Sequence, residues 1–449
     1  MPRLIRVFWG SVLLGCLLLP GAAAASDPGV EEPVSETPAA QPEGPSLPAL
    51  SPAEEEKSPP EKEGAAEPPA KEPETPAKQT APQSTTPEAP AAEPEPPPKR
   101  VLTPAMAALR DRVRRTLAYH RGQLLNAQEN TATELMDACL AFGCSTQVYR
   151  AGSAGQKSNA IGSLCWNVPC AGRPPLVVSD GHVAARIGFG FQERPAQMLA
   201  MLAQSRVPAD YPIRVDQSPR SVADLVEYEK LSCRAKSDLS LKLIGLAFYV
   251  DEPTWKNDLG EEWSIERIVQ EELGQPLARA ADGGTTRLMG LSCALRARLK
   301  QKQPVEGQFD RAQKLIAECQ EFALRQQNSD GGWGPNFFVT KAASRDPAVQ
   351  LRSTGRVLEW LAFSLPEERL SDPRVVRSVE QLNELFAGSR YQWNVRALST
   401  RTVSSVMHAL HALVIYDDRW FKPADVEKPA GETRKAATAD RAQPPARSR

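Results

Sequence analysis

Short segments that are apolar on nearly every side recur along the chain from residue 135 onwards. Each begins with two apolar residues, passes one variable position and continues with apolar and small residues. A helix that is apolar all round is buried on most sides in a soluble protein. The pattern therefore predicts buried helices that contain 135–142, 198–203, 243–248, 288–293, 357–363 and 406–412.

A helix with one polar face precedes most of these segments. Apolar residues at helical spacing predict amphipathic helices over 105–121, 222–231, 265–273, 309–327 and 374–386. Amphipathic and apolar helices thus alternate, with a period of roughly 45 to 70 residues, which is typical of a repeat architecture. We expect an all-α fold of the α/α-toroid type over residues 101–425, in which about six inner helices surround an axis and outer helices cover them.

One stretch departs from the helical pattern. Residues 176–186 contain two short apolar runs on either side of Asp180-Gly181. Asp-Gly favours the type I′ turn of a two-residue hairpin. The sequence predicts a small β-hairpin inserted near the second repeat, where it would help to cover one end of the array.

The N-terminal segment 1–25 has the three parts of a secretory signal peptide. Two arginines precede a short apolar run, and three alanines precede the predicted cleavage after Ala25. Cleavage would leave an exported protein, either periplasmic, at the cell surface or secreted. Because the alanines could lengthen the apolar run, an uncleaved membrane anchor is the alternative. Cys16 in Leu-Leu-Gly-Cys leaves lipidation open as well.

The segment that follows, 26–100, is rich in Pro, Glu and Ala. It holds about half of the chain's 41 prolines and offers little apolar surface to bury, so it is predicted to be a disordered linker. The tail 426–449 has a similar composition and the same prediction. The net charge of the whole chain is −1, which gives no reason to expect a nucleic-acid partner. Contact with a membrane is expected only if the signal is uncleaved.

Eight cysteines are present, and seven remain once the signal peptide is removed. Cys165 and Cys170 lie in a loop-like stretch that contains a proline, and an exported location permits disulfides, so a bridge between them is possible. A zinc site would need closely paired cysteines or clustered histidines. Neither pattern occurs, and we predict no metal and no cofactor.

One motif resembles a known family. Gln327-Asn-Ser-Asp-Gly331-Gly332-Trp333-Gly334 is similar to the Q-x3-G-x-W signature of prenyltransferase and squalene-cyclase repeats. The resemblance implies an α/α toroid in which the glutamine binds backbone at the end of an outer helix and the tryptophan packs beside it. Gly331 and Gly332 are expected to supply the positive φ of the helix exit. There is one good copy, so the resemblance supports the fold more than an activity.

The chain also departs from those families. The D-x-D-D motif of the cyclases is absent, and aromatic residues make up 6% of the chain, whereas cyclase cavities are rich in aromatic side chains. The zinc ligands of protein prenyltransferases have a local counterpart in Asp137 and Cys139, with His182, His408 and His411 as distant candidates. Cys139 falls on an apolar repeat position, however, where a buried core residue is expected.

The variable position of the repeat carries the candidate chemistry. Aligning the apolar segments makes six residues equivalent, so they should form a ring around the axis: Asp137, Ala200, Gly245, Gly290, Glu359 and His408. Two carboxylates and an imidazole in a cleft could act as general acid and base. Alternatively, they satisfy neighbouring backbone or arginine groups, and Arg287 and Arg356 are the expected partners near the same mouth.

These features leave two classes of function open. The leading hypothesis is an exported, tethered, non-catalytic module that binds an unidentified ligand or protein at the mouth of the toroid, or serves as a scaffold. The alternative is a toroid-type enzyme, either a polysaccharide lyase or hydrolase or a terpene-cyclase-like protein. A polar cleft with carboxylates and arginine would favour an enzyme that acts on carbohydrate. An aromatic cavity would favour a cyclase, and a filled centre would favour a scaffold.

Overall fold

The structure is a computed structural model that describes residues 101–151, 155–388 and 393–422. The predicted signal peptide, linker and C-terminal tail lie outside the described residues. Helices dominate the described part of the chain, as predicted. Numbered in chain order, they are α1 (Pro104–Arg121), α2 (Ala132–Phe142), α3 (Ala160–Cys165), α4 (Gln197–Gln204), α5 (Val222–Leu231), α6 (Ser240–Tyr249), α7 (Ile265–Leu273), α8 (Thr285–Lys300), α9 (Gly307–Gln326), α10 (Pro347–Ser364), α11 (Pro373–Gly388) and α12 (Thr400–Tyr416).

The six apolar segments lie in α2, α4, α6, α8, α10 and α12. Each of these helices contacts the next one in this series, and α12 contacts α2. Small residues permit the close approach of the backbones. A Cβ atom on Gly245 would lie 2.7 Å from Cγ of Leu199, and one on Gly355 would lie 2.8 Å from Cα of Ala409.

The amphipathic helices α1, α5, α7, α9 and α11 begin and end within two residues of the predicted bounds. They pack against the apolar helices: α5 and α7 on α6, α9 on α8, α11 on α10 and α1 on α12. Capping boxes fix two of the helix starts. Thr131 and Glu134 cap α2, and Ser221 and Asp224 cap α5.

The predicted hairpin is confirmed. Strands β3 (Leu176–Ser179) and β4 (His182–Ala185) pair antiparallel, and Asp180 and Gly181 between them have φ of 50° and 82°, as a type I′ turn requires. Three further hairpins were not predicted, because strands of two or three residues are too short to show an alternating pattern. They pair β1 (Gln147–Tyr149) with β2 (Lys157–Asn159), β5 (Pro212–Ile213) with β6 (Arg220–Ser221), and β7 (Trp255–Lys256) with β8 (Glu262–Trp263).

The possible Cys165–Cys170 disulfide is not formed in this structure. Both cysteines are buried free thiols. Cys165 ends α3, a helix that the sequence interpretation took for loop, while the Cys170 thiol donates to the carbonyl of Val168 at 3.4 Å. Burial raises the pKa of each thiol to about 12. Both groups are therefore in the unreactive thiol form at neutral pH.

In the turn from Gln327 to Trp333, only one of the two glycines has the positive φ that was expected of both. Gly331 has φ of +90°, but Gly332 is not in the positive-φ region. A Cβ atom on Gly332 would lie 2.8 Å from Oγ1 of Thr354. Position 332 therefore requires glycine because it packs closely against α10, and not because of its backbone conformation.

Within the described residues, none of the helices has the length and apolar character needed to cross a membrane.

Candidate functional site

A cavity of about 110 Å³, partly open to solvent, lies among the six apolar helices, each of which contributes lining residues. Four predicted candidates line it: Asp137, Arg356, Glu359 and His408. These residues are separated by up to 271 positions in sequence, and the packing of α2, α10 and α12 brings them together. Ala200 of α4, another of the six aligned positions, lines the cavity too.

The other two aligned positions lie elsewhere. Gly245 and Gly290 do not line the cavity, and a Cβ atom on either would collide with the neighbouring apolar helix. Ile244 and Met289, one residue earlier, line it instead. The predicted ring was therefore wrong by one residue at α6 and α8, where the glycines serve helix contact.

Glu359 joins two histidines of α12. Its Oε2 lies 2.8 Å from Nδ1 of His408, and its Oε1 lies 2.6 Å from Nδ1 of His411. Burial favours the neutral carboxyl, but the charge of His408 and the hydrogen bonds from both rings outweigh it and hold the pKa of Glu359 well below its usual range. An ionised carboxylate only accepts hydrogen bonds. Each Nδ1 therefore carries the hydrogen, and Nε2 of His408 is the ring atom left for the cavity.

Asp137 on α2 behaves in the opposite way. It is 2% exposed, and burial raises its pKa despite the opposing charges of His408 and Arg356 and a hydrogen bond from Ser404. Its Oδ2 atom is buried and has no hydrogen-bond partner among the described residues. One wall of the cavity thus carries a carboxyl whose pKa is raised, while another carries a carboxylate whose pKa is lowered and which binds two imidazoles.

A second buried polar atom lacks a partner in the described part of the chain. It is the Oγ1 of Thr286, at the start of α8 and 7% exposed. Thr286 lines the same cavity, as does the half-buried pair of Arg356 and Asp282, whose Nη2 and Oδ2 atoms are 3.7 Å apart. Burial opposes ionisation of Asp282, but the charge of Arg356 holds its pKa below the usual range.

Arg287 does not line the cavity. It points towards α7, where its Nε donates to Oε2 of Glu272 at 2.9 Å and its Nη2 to the side chain of Gln275 at 3.0 Å. Both members of the ion pair are buried. Arg287 therefore takes the structural role that was its alternative interpretation.

The zinc-like residues are not assembled into one site. Cys139 is fully buried and does not line the cavity, and His182 lies on β4. Both His408 and His411 turn Nδ1 towards Glu359. The described residues contain no group of three or more His, Cys, Asp or Glu arranged to hold a metal ion.

Several lining residues were missed by the sequence interpretation. Glu193 and Arg194 precede α4, Asp282 precedes α8, and Thr286 and Ser404 lie within the first five residues of their helices. They lie outside the apolar segments that defined the repeat, so its alignment could not find them. The only available signal was their position at helix N-terminal ends, which is weak by itself.

Asp137 should make stability depend on pH. Because its folded pKa lies above that of the unfolded chain, near 3.8, the native state binds more protons than the unfolded state above that pH, and stability falls as pH rises through the folded pKa. Asp137→Asn cannot ionise. We expect its stability relative to the wild type, measured by urea unfolding from pH 3 to 8, to improve as pH rises from the unfolded pKa to the folded pKa and then to level off. A difference that is independent of pH would contradict this assignment.

Comparison with known proteins identified no relative of this chain. The chain matches no family model, and no characterised protein or solved structure shows significant similarity to it.

Proposed function

We propose that this chain is an exported α/α-toroid module, tethered by its linker, whose central cavity binds a small polyhydroxyl ligand of the saccharide class. The observation that carries the proposal is that Asp137 and Thr286 line one cavity, and that each has a buried polar atom, Oδ2 and Oγ1 respectively, without a hydrogen-bond partner among the described residues. A buried polar group without a hydrogen bond is costly. A ligand or water molecules that enter the cavity would satisfy both.

The contacts of the apolar helices support the toroid part of the proposal. Six helices contact one another in series, and the last contacts the first, as inner helices arranged around an axis would. The amphipathic helices pack on these helices, and none of the described residues that line the cavity belongs to an amphipathic helix. The proposed export rests on the N-terminal sequence alone, whose pattern is that of a signal peptide.

The lining of the cavity supports a polar ligand over an apolar one. Hydroxyl, carboxyl, guanidinium and imidazole groups line it together with apolar side chains, and Trp360 is the single aromatic ring besides His408 among its described lining residues. A terpene-type substrate would call for several aromatic faces. Hydroxyl groups of a sugar can donate and accept at once, which suits both the Thr286 hydroxyl and the Asp137 carboxyl in either of its protonation states.

Saccharide binding can be tested with a matched pair of variants. Thr286→Val keeps the shape of the side chain and removes its hydroxyl, so we expect affinity to fall by about twofold to tenfold, as for one lost neutral hydrogen bond. Ala200→Leu should fill part of the cavity and abolish binding. The probes are glycerol and a panel of neutral mono- and disaccharides, measured by calorimetry and thermal shift.

Thr340→Val is the control, because Thr340 is exposed and does not line the cavity. It should bind every probe as the wild type does. The proposal fails if no probe binds the wild-type chain, or if Ala200→Leu folds and binds as tightly as the wild type.

A further inference from the structure

We infer that the cavity is an acid–base site that hydrolyses a glycosidic bond of a neutral saccharide, with Asp137 as the proton donor and His408 as the base that activates water. This inference rests on the proposed function, since it assigns chemistry to the same saccharide site. The two side chains lie on different helices, α2 and α12, and line one cavity. They differ in their contacts: Oδ2 of Asp137 has no hydrogen-bond partner among the described residues, whereas Nδ1 of His408 is held by Glu359.

Asp137 meets the requirements of a proton donor. Asp137 lines the cavity, and its buried Oδ2 has no hydrogen-bond partner among the described residues. Its surroundings keep the carboxyl protonated to a higher pH than an exposed aspartate. A neutral acid that faces a substrate oxygen can give up its proton as the bond to that oxygen breaks.

His408 meets the requirements of a base. Glu359 accepts the Nδ1 hydrogen at 2.8 Å, which fixes the ring and leaves Nε2 as the proton acceptor. The ionised carboxylate also stabilises the imidazolium that forms when Nε2 takes a proton. Glu359 does not itself reach the ligand in this scheme and is a positioning residue. Its second oxygen, held by His411 at 2.6 Å, keeps the carboxylate in place.

The charges around the cavity favour a neutral substrate over an acidic one. Glu193, Asp282 and Glu359 carry negative charge, and Arg194 and Arg356 carry positive charge. Both arginines already have acidic partners: Arg356 faces Asp282, and Arg194 binds Asp238 with its Nε at 3.0 Å. No guanidinium among these lining residues is therefore left to neutralise a uronate carboxylate, as elimination from an acidic polysaccharide would require.

The reaction balances with water as the only co-reactant. The oxygen of a water molecule forms a bond to the anomeric carbon while one of its protons passes to Nε2 of His408. The bond between that carbon and the glycosidic oxygen breaks, and the leaving oxygen takes the proton from Oδ2 of Asp137. Release of the proton from His408 and uptake of one by Asp137 restore the site.

Two substrates that share the same sugar but differ in leaving group can distinguish the role of Asp137 from that of His408. A methyl glycoside needs protonation of its leaving group, whereas a 2,4-dinitrophenyl glycoside does not. We expect Asp137→Asn to lower kcat/KM by 10²- to 10⁴-fold on the methyl glycoside and by less than tenfold on the dinitrophenyl glycoside. His408→Gln should lower both by at least 10²-fold. His182→Gln, which lies outside the cavity, is the control and should change neither rate.

Glu359→Gln tests the positioning role. An amide cannot stabilise the imidazolium in the same way, so the acidic limb of the pH–rate profile should move; a purely structural role would leave the profile of the folded fraction unchanged. Equal losses on both substrates in Asp137→Asn would overturn the assignment of the acid. If a panel of these glycosides is bound but not hydrolysed, the hydrolytic inference fails and the binding function stands. If none is bound, both fail.

Discussion

Glu272→Ala should destabilise the protein by about 3–5 kcal/mol, because it removes one partner of a buried ion pair and leaves the other charge uncompensated. Glu272 lies on α7 and is fully buried. Its carboxylate accepts hydrogen bonds from Arg287 Nε at 2.9 Å, from Ser240 Oγ at 2.6 Å and from the backbone N–H of Leu239 at 2.8 Å. The residue thus ties an amphipathic helix to the starts of α6 and α8.

Glu321→Ala is the matched control for this substitution. Glu321 forms an ion pair with Arg369 on the surface, with both side chains substantially exposed, so its loss should cost less than about 1 kcal/mol. The double variant Glu272→Met/Arg287→Met leaves no buried charge and should be less destabilised than Glu272→Ala. Urea unfolding followed by circular dichroism measures all three. If Glu272→Ala and Glu321→Ala lower the free energy of unfolding equally, the buried ion pair contributes no more to stability than the surface pair.

The helices could be predicted from the sequence because helix formation depends on a local pattern. The bounds of α5 and α7 agree with the prediction at both ends, since each has a clear polar face and a cap. The helix α3 was missed because its six residues offer less than two turns of periodicity. The extra hairpins were missed for the same reason, because strands of two or three residues are too short to show an alternating pattern.

The site could be predicted only in part, because it depends on which face each helix presents. Asp137, Glu359 and His408 are polar residues in apolar segments, and burying such residues is expensive unless they meet partners. Their convergence could therefore be inferred. At α6 and α8 the same alignment chose Gly245 and Gly290, where close helix packing requires a residue without a side chain. A one-residue step rotates a helix position by about 100°, and sequence alone did not fix that rotation.

The role of Arg287 shows a second limit. Its place just before an apolar segment suggested a group at the cavity mouth, but the partner that decides its direction, Glu272, lies on a different helix. Nothing in the local pattern identifies that pair. An arginine beside a cavity and an arginine in a buried ion pair cannot be distinguished by their local sequence. Only the packing of α7 on α8 shows which of the two Arg287 is.

Trp333→Ala should destabilise the protein by about 3–5 kcal/mol, the usual range when a buried aromatic ring is removed from a core. Trp333 is 1% exposed. Its indole Nε1 donates to the carbonyl of Ala323 on α9 at 2.9 Å, and its backbone N–H donates to Oγ1 of Thr354 on α10 at 3.1 Å. The ring therefore fills space between two helices and satisfies a carbonyl near the end of α9.

The neighbouring glutamine strengthens this turn. Gln327 Nε2 lies 3.0 Å from the carbonyl oxygen of Gly331, 2.8 Å from that of Arg374 and 2.7 Å from Oγ of Ser378. Removing the ring would expose these bonds to water and loosen the contact between the turn that follows α9 and helix α11. Trp333→Phe should cost less than Trp333→Ala, since it keeps most of the apolar ring and loses mainly the bond to Ala323.

Trp166→Ala is the matched control for Trp333→Ala. Trp166 is 49% exposed and stacks under the guanidinium of Arg214, 4.1 Å from the ring centroid, so its loss should cost about 1 kcal/mol or less. Trp333 does not line the cavity. Saccharide affinity should therefore survive in Trp333→Ala wherever the variant is folded. If its unfolding curve matches that of the wild type while saccharide binding is lost, Trp333 is a recognition residue and its structural role is wrong.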